Sequence, residues 1–119
     1  MKLAKAVHLP TNSGAGLMDY VEGVHLRHLP PLTMLLVWTN NSLYRIVVTE
    51  GSNVYVQGGT FFPDATSAHL DGASMGGVFL QVGWIGVGGL MEIRAGGTRF
   101  VTSPVRAIAA ERPGIAVVH

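Results

Sequence analysis

Glycines punctuate alternating apolar and polar residues throughout Leu70–Glu111, and no other feature constrains the fold of this chain as strongly. Over residues 78–84 every second residue is apolar: Val78, Leu80, Val82 and Trp84. This is the period of an extended strand with two different faces. Glycine pairs follow such runs, and glycine in or between strands is typical of a tight turn, a bulge or a close backbone approach. The stretch therefore predicts short antiparallel strands joined by tight turns.

A hairpin is predicted around residues 40–41, two asparagines that separate the apolar runs TMLLVWT and SLYRIVVTE. Asparagine tolerates left-handed backbone geometry, so a two-residue type I′ turn is favoured. This register sets Val37 opposite Tyr44 on one face and Trp38 opposite Leu43 on the other. Since both faces are mostly apolar, one of them needs cover from another element or another subunit. The face that we predict to be an oligomer interface comprises Met34, Leu36, Trp38, Leu43 and Val47.

A second hairpin is predicted at residues 96–97, because paired glycines supply the positive φ angles of a two-residue turn. The turn pairs Ile93 with Phe100 and Met91 with Thr102 on the face that we expect to point into the core. A three-residue loop would instead shift this register by one position.

The opposite face of the same hairpin places Arg94 directly against Arg99, and like charges opposed across two strands are destabilising. Glu92 lies diagonal to Arg99 and offsets part of this repulsion. Two interpretations stay open for the group. It is either a solvated charge cluster or a contact for an anion or an acidic partner, since paired guanidinium groups bind carboxylate and phosphate well.

Residues 64–77 read DATSAHLDGASMGG and predict the longest loop, and loops on a rigid scaffold commonly carry binding sites. We predict a small-molecule pocket there, at the mouth of the barrel. The serine, histidine and aspartate of this segment lie close together in sequence, whereas known catalytic triads assemble from distant segments. The glycines over 83–89 lack the ordered pattern of nucleotide loops, so no cofactor is predicted. The predicted ligand-binding residues are His69, Asp71, Ser74, Trp84, Arg94 and Arg99.

Acidic and histidine residues recur at every third position in the N-terminal part: Asp19, Glu22, His25 and His28. An apolar stripe over Leu17–Leu26 favours a helix there, and Glu-x-x-His is a spacing found in carboxylate-bridged metal sites of helix bundles. A metal site formed by Glu22, His25 and His28 is therefore one alternative. The competing interpretation is a polar helix face or a solvated loop, since no second helix of this kind is evident.

The composition limits the partners of the chain. Of its 119 residues 48% are hydrophobic and 13% charged, against about 25% charged in a typical domain. We therefore expect another subunit to cover part of the surface, in a homo-oligomer that is a dimer or larger. A net charge of +1 with scattered Lys and Arg argues against nucleic-acid binding.

The absence of cysteine excludes disulfides, thiolate catalysis and cysteine-based zinc sites, and it suits a cytoplasmic location. The N-terminal residues lack the continuous apolar region of a signal peptide. Residues 72–91 carry no charge over a length that spans a bilayer as a helix, but their many glycines favour strands. No membrane interaction is predicted.

Together these patterns predict an all-β protein with six to eight short antiparallel strands in a small closed or partly open barrel, either with or without one short N-terminal helix before it. We expect a single domain over 1–119, with an N-terminal arm or helix at 1–31, a barrel core at 32–111 and a tail at 112–119. The predicted function is a non-enzymatic oligomeric binding module. The alternatives are a small-molecule-binding barrel or small enzyme with a pocket near 64–77, and a His/carboxylate metal-binding protein.

Overall fold

The computed structural model describes residues 6–8, 17–75 and 79–112, the first of these ranges as backbone only. The chain there is mostly extended, which confirms the predicted all-β class. The eleven strands are β1 (Ala6–His8), β2 (Leu17–Val21), β3 (Gly23–His25), β4 (Met34–Thr39), β5 (Leu43–Glu50), β6 (Asn53–Gly58), β7 (Phe62–Ser74), β8 (Leu80–Val82), β9 (Trp84–Gly86), β10 (Leu90–Ala95) and β11 (Thr98–Glu111).

Six strands form a ring. β4 pairs with β5, β5 with β6, β6 with β7, β7 with β10, β10 with β11, and β11 returns to β4, every pair antiparallel. β11 is long enough to pair with β10 through its first half and with β4 through its second. The sheet thereby nearly closes into a ring and leaves few open edges in these strands, as expected for a small barrel.

The other strands extend this ring at its margins. β2 pairs with the end of β11 and carries β1, while β8 adds to the last residues of β7 beyond the point where β6 ends. β3 and β9 form a separate two-stranded sheet. Within the described ranges the only helix is one 3₁₀ turn, Leu26–His28, and no helix there is long and apolar enough to cross a bilayer.

Alternate side chains fill the interior of the ring. Along β4, Leu35 and Val37 are fully buried whereas their neighbours Leu36 and Trp38 are half-buried. Each fully buried side chain of this size stabilises the fold by about 1.5–3 kcal/mol relative to an exposed one. The interior is therefore the main source of stability, and its residues include Leu35, Val37, Ile46, Val48, Val54, Val56, Leu70, Met91, Ile93 and Ile108.

The register of the hairpin at residues 40–41 is confirmed. Val37 pairs with Tyr44 and Trp38 with Leu43, as the two-residue turn requires. The Thr39 side chain secures this turn, because its hydroxyl oxygen accepts hydrogen bonds from the backbone of the turn. Local sequence therefore determines this part of the sheet.

The second hairpin also has its predicted turn. Gly96 and Gly97 adopt φ angles of +57° and +82°, which suit glycine, and Ile93 pairs with Phe100. The predicted pairing of Met91 with Thr102 is wrong, because β11 carries an extra residue there and the register shifts. The backbone N–H of Met91 instead donates to the Thr102 hydroxyl oxygen at 3.0 Å.

The predicted N-terminal helix is wrong, because Leu17–Val21 and Gly23–His25 are strands. β2 lies along the end of β11, so tertiary pairing outweighs a weak helical stripe that Gly23 already disfavours by about 1 kcal/mol relative to alanine. Arg112 holds the first part of β2 in place. Its backbone N–H donates to the carbonyl oxygen of Leu17, and its guanidinium donates to the Asp19 carboxylate at 2.7 Å.

The predicted loop over 64–77 is wrong for its described part, because β7 runs continuously to Ser74. Pro63 is tolerated near the start of this strand, where it has no direct partner on β6. β11 likewise continues without a break from Thr98 to Glu111. Residues 76–78 and 113–119, which hold the predicted start of a strand and the apolar tail, lie outside the described residues.

Candidate functional site

A β-bulge on β7 positions several of the predicted ligand-binding residues. Leu70 pairs with Ile93 and Gly72 pairs with Glu92 on β10, which leaves Asp71 as an extra residue between the two pairs. A bulge of this kind redirects a side chain relative to a regular strand. Leu70 stays in the core, whereas Asp71 turns to the outer face, where it meets side chains of the next strand.

Asp71 forms the first of two ion pairs on this face. Arg94 Nε donates to the two carboxylate oxygens of Asp71 at 3.1 and 2.9 Å, and Arg94 Nη2 donates to one of them at 2.8 Å. His69 Nδ1 lies 2.8 Å from the same carboxylate, which accepts a hydrogen bond when that nitrogen is protonated. Arg94 lowers the pKa of Asp71; partial burial opposes this, and His69 lowers the pKa further.

Glu92 forms the second ion pair. Arg99 donates from Nε and Nη2 to one Glu92 oxygen, at 3.0 and 2.7 Å, and the Glu92 side chain is only 8% exposed. The Ser74 hydroxyl beside this carboxylate, and then Arg99, hold the pKa of Glu92 below its usual range. Ser74 Oγ is buried and meets no partner among the described residues at full hydrogen-bond geometry, so we regard Arg99 as the firmer contact.

These pairs explain how the hairpin accommodates two opposed arginines. Arg94 and Arg99 do face each other across β10 and β11, as the sequence predicts. Each guanidinium nevertheless binds its own carboxylate, so the two positive and two negative charges of the cluster cancel. The arrangement therefore favours a structural charge cluster over an open site for an anion.

Trp84 lies apart from this charged cluster, in the small sheet of β3 and β9. It pairs with His25 across that sheet, and the two rings meet edge to face with centroids 5.6 Å apart. A groove of about 490 Å³ opens beside them, and the side chains that line it are His25, Arg27, Gln81, Val82 and Trp84.

Gly83 connects the groove with the strand that carries the charged cluster. Its backbone N–H donates to the Asp71 carbonyl and its own carbonyl accepts from Leu26 N–H, both at 2.9 Å. A positive φ of +71° lets the chain turn at this residue, from β8 on the edge of the main sheet to β9 in the small sheet. The predicted ligand-binding residues thus fall into two neighbouring regions: a paired charge cluster and a groove.

The predicted metal ligands do not form a site. Within the described ranges no three His, Asp or Glu side chains lie close enough together to hold a metal ion. Glu22 is exposed in the link between β2 and β3, whereas the rings of His25 and His28 lie 5.1 Å apart. The proposed spacing needed a helix, and strands present the same residues in other directions.

The predicted oligomer face on β4 and β5 is partly covered by the chain itself. Trp38 packs against Tyr20, with ring centroids 6.1 Å apart, and the Met34 N–H donates to Glu111. Of the five predicted interface residues only Leu43 is exposed, at 45%; Met34, Leu36, Trp38 and Val47 are half-buried.

A more exposed apolar surface lies around β8. Phe79 is 73% exposed and Val82 is 70% exposed, with Leu80 at 41% between them, and Met75 is exposed at the end of β7. β8 pairs with β7 along one edge, and no other strand of the described chain pairs with its second edge. Sequence alone did not reveal this surface, because an alternating strand is expected to bury one face and β8 buries neither.

Comparison with known protein families, curated proteins and solved structures finds no match to this chain. The class of protein that the fold defines is a small antiparallel β-barrel with an added edge strand and a surface groove. Its function must therefore be inferred from the geometry of these surfaces.

Proposed function

We propose that this protein is a non-enzymatic binding module that associates with a second copy of itself through the free edge of β8. The observation that carries the proposal is the exposure of Leu80 and Val82 on β8, and of Phe79 just before it, on a strand whose second edge pairs with no other strand of the described residues. Such an edge presents unpaired backbone N–H and C=O groups that readily accept another strand.

A second copy suits this edge for a chemical reason. Symmetric pairing places the same surface on both sides of an interface, so a charged strand would repel its own copy. Gly72–Met91 contains no charged residue, and β8 lies within that stretch. Antiparallel pairing centred on Gln81 would set Leu80 against Val82 of the second copy, which buries an apolar pair on each side of the two-fold axis.

The size of the surface sets the expected strength. β8 has three residues, whereas a stable protein interface buries about 800 Å² per partner. Phe79 and Met75 enlarge the contact, but it remains at the small end of the range. We therefore expect a concentration-dependent dimer with a dissociation constant between about 10 µM and about 1 mM.

Light scattering of the purified chain over about 10 µM to about 1 mM tests this proposal. The wild type should change from monomer to dimer over this range, and Leu80→Lys should stay monomeric because each lysine would lie against Val82 of the other copy and the two like charges would be diagonal neighbours across the axis. Leu43→Lys is the matched control, since Leu43 is equally exposed but lies on the β4–β5 face. A monomeric wild type, or dissociation by Leu43→Lys alone, would contradict the proposal.

A further inference from the structure

We infer that the groove between β8 and the His25–Trp84 pair is a binding site for a small planar aromatic carboxylate. The inference does not depend on self-association, because it rests on the aromatic floor of the groove and on the arginine at its rim. Three features support it. They are the packing of Trp84 against two glycines, the buried Nδ1 atom of His25, and the absence of an ion pair at Arg27 within the described residues.

Trp84 is seated on two glycines of its own small sheet. A Cβ atom at Gly23 would lie 2.6 Å from Trp84 Cη2, and one at Gly86 would lie 2.5 Å from Trp84 Nε1. Both distances are shorter than side chains permit, so only glycine at these paired positions lets the indole lie flat against the backbone. The ring is thereby held in one orientation beside the groove, as a fixed surface on which another aromatic ring can stack.

His25 lines the groove beside Trp84. Its Nδ1 atom is buried and has no hydrogen-bond partner among the described residues. The α-carbon side of Gly83 covers that nitrogen, since a Cβ atom there would lie 3.7 Å from it. A buried N–H without an acceptor costs about 1–3 kcal/mol, so the tautomer with its proton on Nε2 is favoured. In the proposed complex Nε2 is then the ring nitrogen that donates its N–H to the ligand.

Arg27 supplies the charge. It is exposed at the rim of the groove, and within the described residues it forms no ion pair. Arg94, Arg99 and Arg112 differ in this respect, because each binds a carboxylate of the chain itself. The Arg27 guanidinium is free to bind a carboxylate from outside with two parallel hydrogen bonds.

The remaining wall and the volume define the size of the ligand. Val82 provides an aliphatic contact and Gln81 an amide that donates or accepts. A groove of about 490 Å³ falls within the common range of about 300–1,000 Å³ for small-molecule sites. One or two fused aromatic rings with a single carboxylate match this space: the rings on Trp84, and the carboxylate between Arg27 and the N–H of His25.

The test uses 2-naphthoate as the probe and its neutral amide, 2-naphthamide, as the matched control. Titration followed by the indole N–H signal of Trp84 in a two-dimensional NMR spectrum should give saturable shifts with 2-naphthoate. We expect 2-naphthamide to bind at least about tenfold more weakly, because it cannot form the charge-assisted pair with Arg27. Acetate should leave the Trp84 signal unmoved, since it lacks the ring.

Variants assign the two contacts. Arg27→Gln should weaken 2-naphthoate binding about tenfold or more, whereas Arg45→Gln, an exposed arginine on β5, should leave it unchanged. Gly23→Ala should displace the indole and abolish the Trp84 shift while the circular-dichroism spectrum stays that of a folded sheet. Equal binding of acid and amide, or full binding by Arg27→Gln, would overturn the inference.

Performing the same titration on Leu80→Lys separates this inference from the proposed dimer. Leu80 does not line the groove, so 2-naphthoate should bind this variant as it binds the wild type. If Leu80→Lys lost both the dimer and the binding of 2-naphthoate, the inference that the groove binds independently of the dimer would be overturned. A monomeric wild type that still binds 2-naphthoate would overturn the proposed function alone.

Discussion

The contacts of individual residues explain a cluster that the sequence makes look unfavourable. Arg94 and Arg99 oppose each other, yet Asp71 and Glu92 neutralise them, and the bulge at Asp71 brings the first of these carboxylates into range. Of the two carboxylates, Glu92 is the more deeply buried. Its ion pair therefore matters more for stability than the more exposed pair of Asp71 and Arg94.

Removal of Arg99 should cost more than removal of the charge on Glu92. Arg99→Ala leaves a buried carboxylate without its partner, and we expect a loss of about 2 kcal/mol in the free energy of unfolding. Glu92→Gln leaves an arginine that is 60% exposed and easily hydrated, so its cost should be about 1 kcal/mol or less. Urea unfolding at neutral pH measures both, and the reverse order would contradict this interpretation of the pair.

The cost of Arg99→Ala should also depend on pH. Because the pKa of Glu92 is lowered in the folded state, the carboxylate stabilises the fold above the pKa of the unfolded chain. That stabilisation is lost as the pH falls through the lower, folded pKa. The difference in unfolding free energy between wild type and Arg99→Ala should therefore shrink in acid, as measured by urea unfolding from neutral pH downward. A constant difference would mean that the pair contributes no net charge interaction.

At the scale of elements, β7 shows why part of the fold could not be predicted. Its sequence is rich in small and turn-forming residues, and this composition by itself predicts a loop. β6 and β8 pair with one edge of β7 and β10 with the other, so long-range pairing decides its conformation. Gly72 is required where these strands meet, because its φ is +147° and β8 passes directly over it.

The two glycines Gly72 and Gly96 offer a matched comparison. Both have positive φ angles, but a Cβ atom at Gly96 meets nothing within 4 Å, whereas one at Gly72 would lie 2.8 Å from the Gln81 carbonyl carbon. Gly96→Ala should cost only the backbone strain, about 1–2 kcal/mol. Gly72→Ala adds a clash with the backbone of β8 and should cost clearly more.

Thermal or urea unfolding of the two variants measures the difference. Hydrogen exchange should also find β8 less protected in Gly72→Ala than in Gly96→Ala, because the clash separates β8 from β7. Equal costs for the two substitutions would contradict the close approach of β8 at Gly72.

The hairpins could be predicted because adjacent turn residues determine them. The pairing of strands that are distant in sequence has no such local signal. The turns at residues 40–41 and 96–97 fix their own registers, so both hairpins followed from adjacent residues. The pairing of β4 with β11 joins residues some seventy positions apart, and no short pattern encodes it. The groove was missed for the same reason, because β3 meets β9 only after the chain has passed around the ring. The spacing of the histidines predicted a metal site only if the segment were a helix, whereas His25 lies in a strand and His28 in a 3₁₀ turn.

At the scale of the whole molecule, the ring of six strands contributes most of the buried apolar side chains of the described residues. The exposed apolar side chains include a group around β8 (Met75, Phe79, Leu80 and Val82), whereas Trp38 is half-buried and packs against Tyr20. Ring closure leaves the added strand as the exposed edge beside the groove. We propose that this edge pairs with a second copy of the chain.

Hydrogen exchange of the Val82 backbone amide, measured as a function of protein concentration, reports on this pairing, because the backbone groups of Gln81 face β7 whereas those of its neighbours face the other edge of β8. We predict that this exchange slows as the concentration rises from about 10 µM to about 1 mM, because pairing with a second copy protects the free edge. Leu80→Lys should abolish the dependence, and amides inside the ring should exchange at the same rate throughout. An exchange rate for Val82 that is independent of concentration over this range would contradict the proposed pairing.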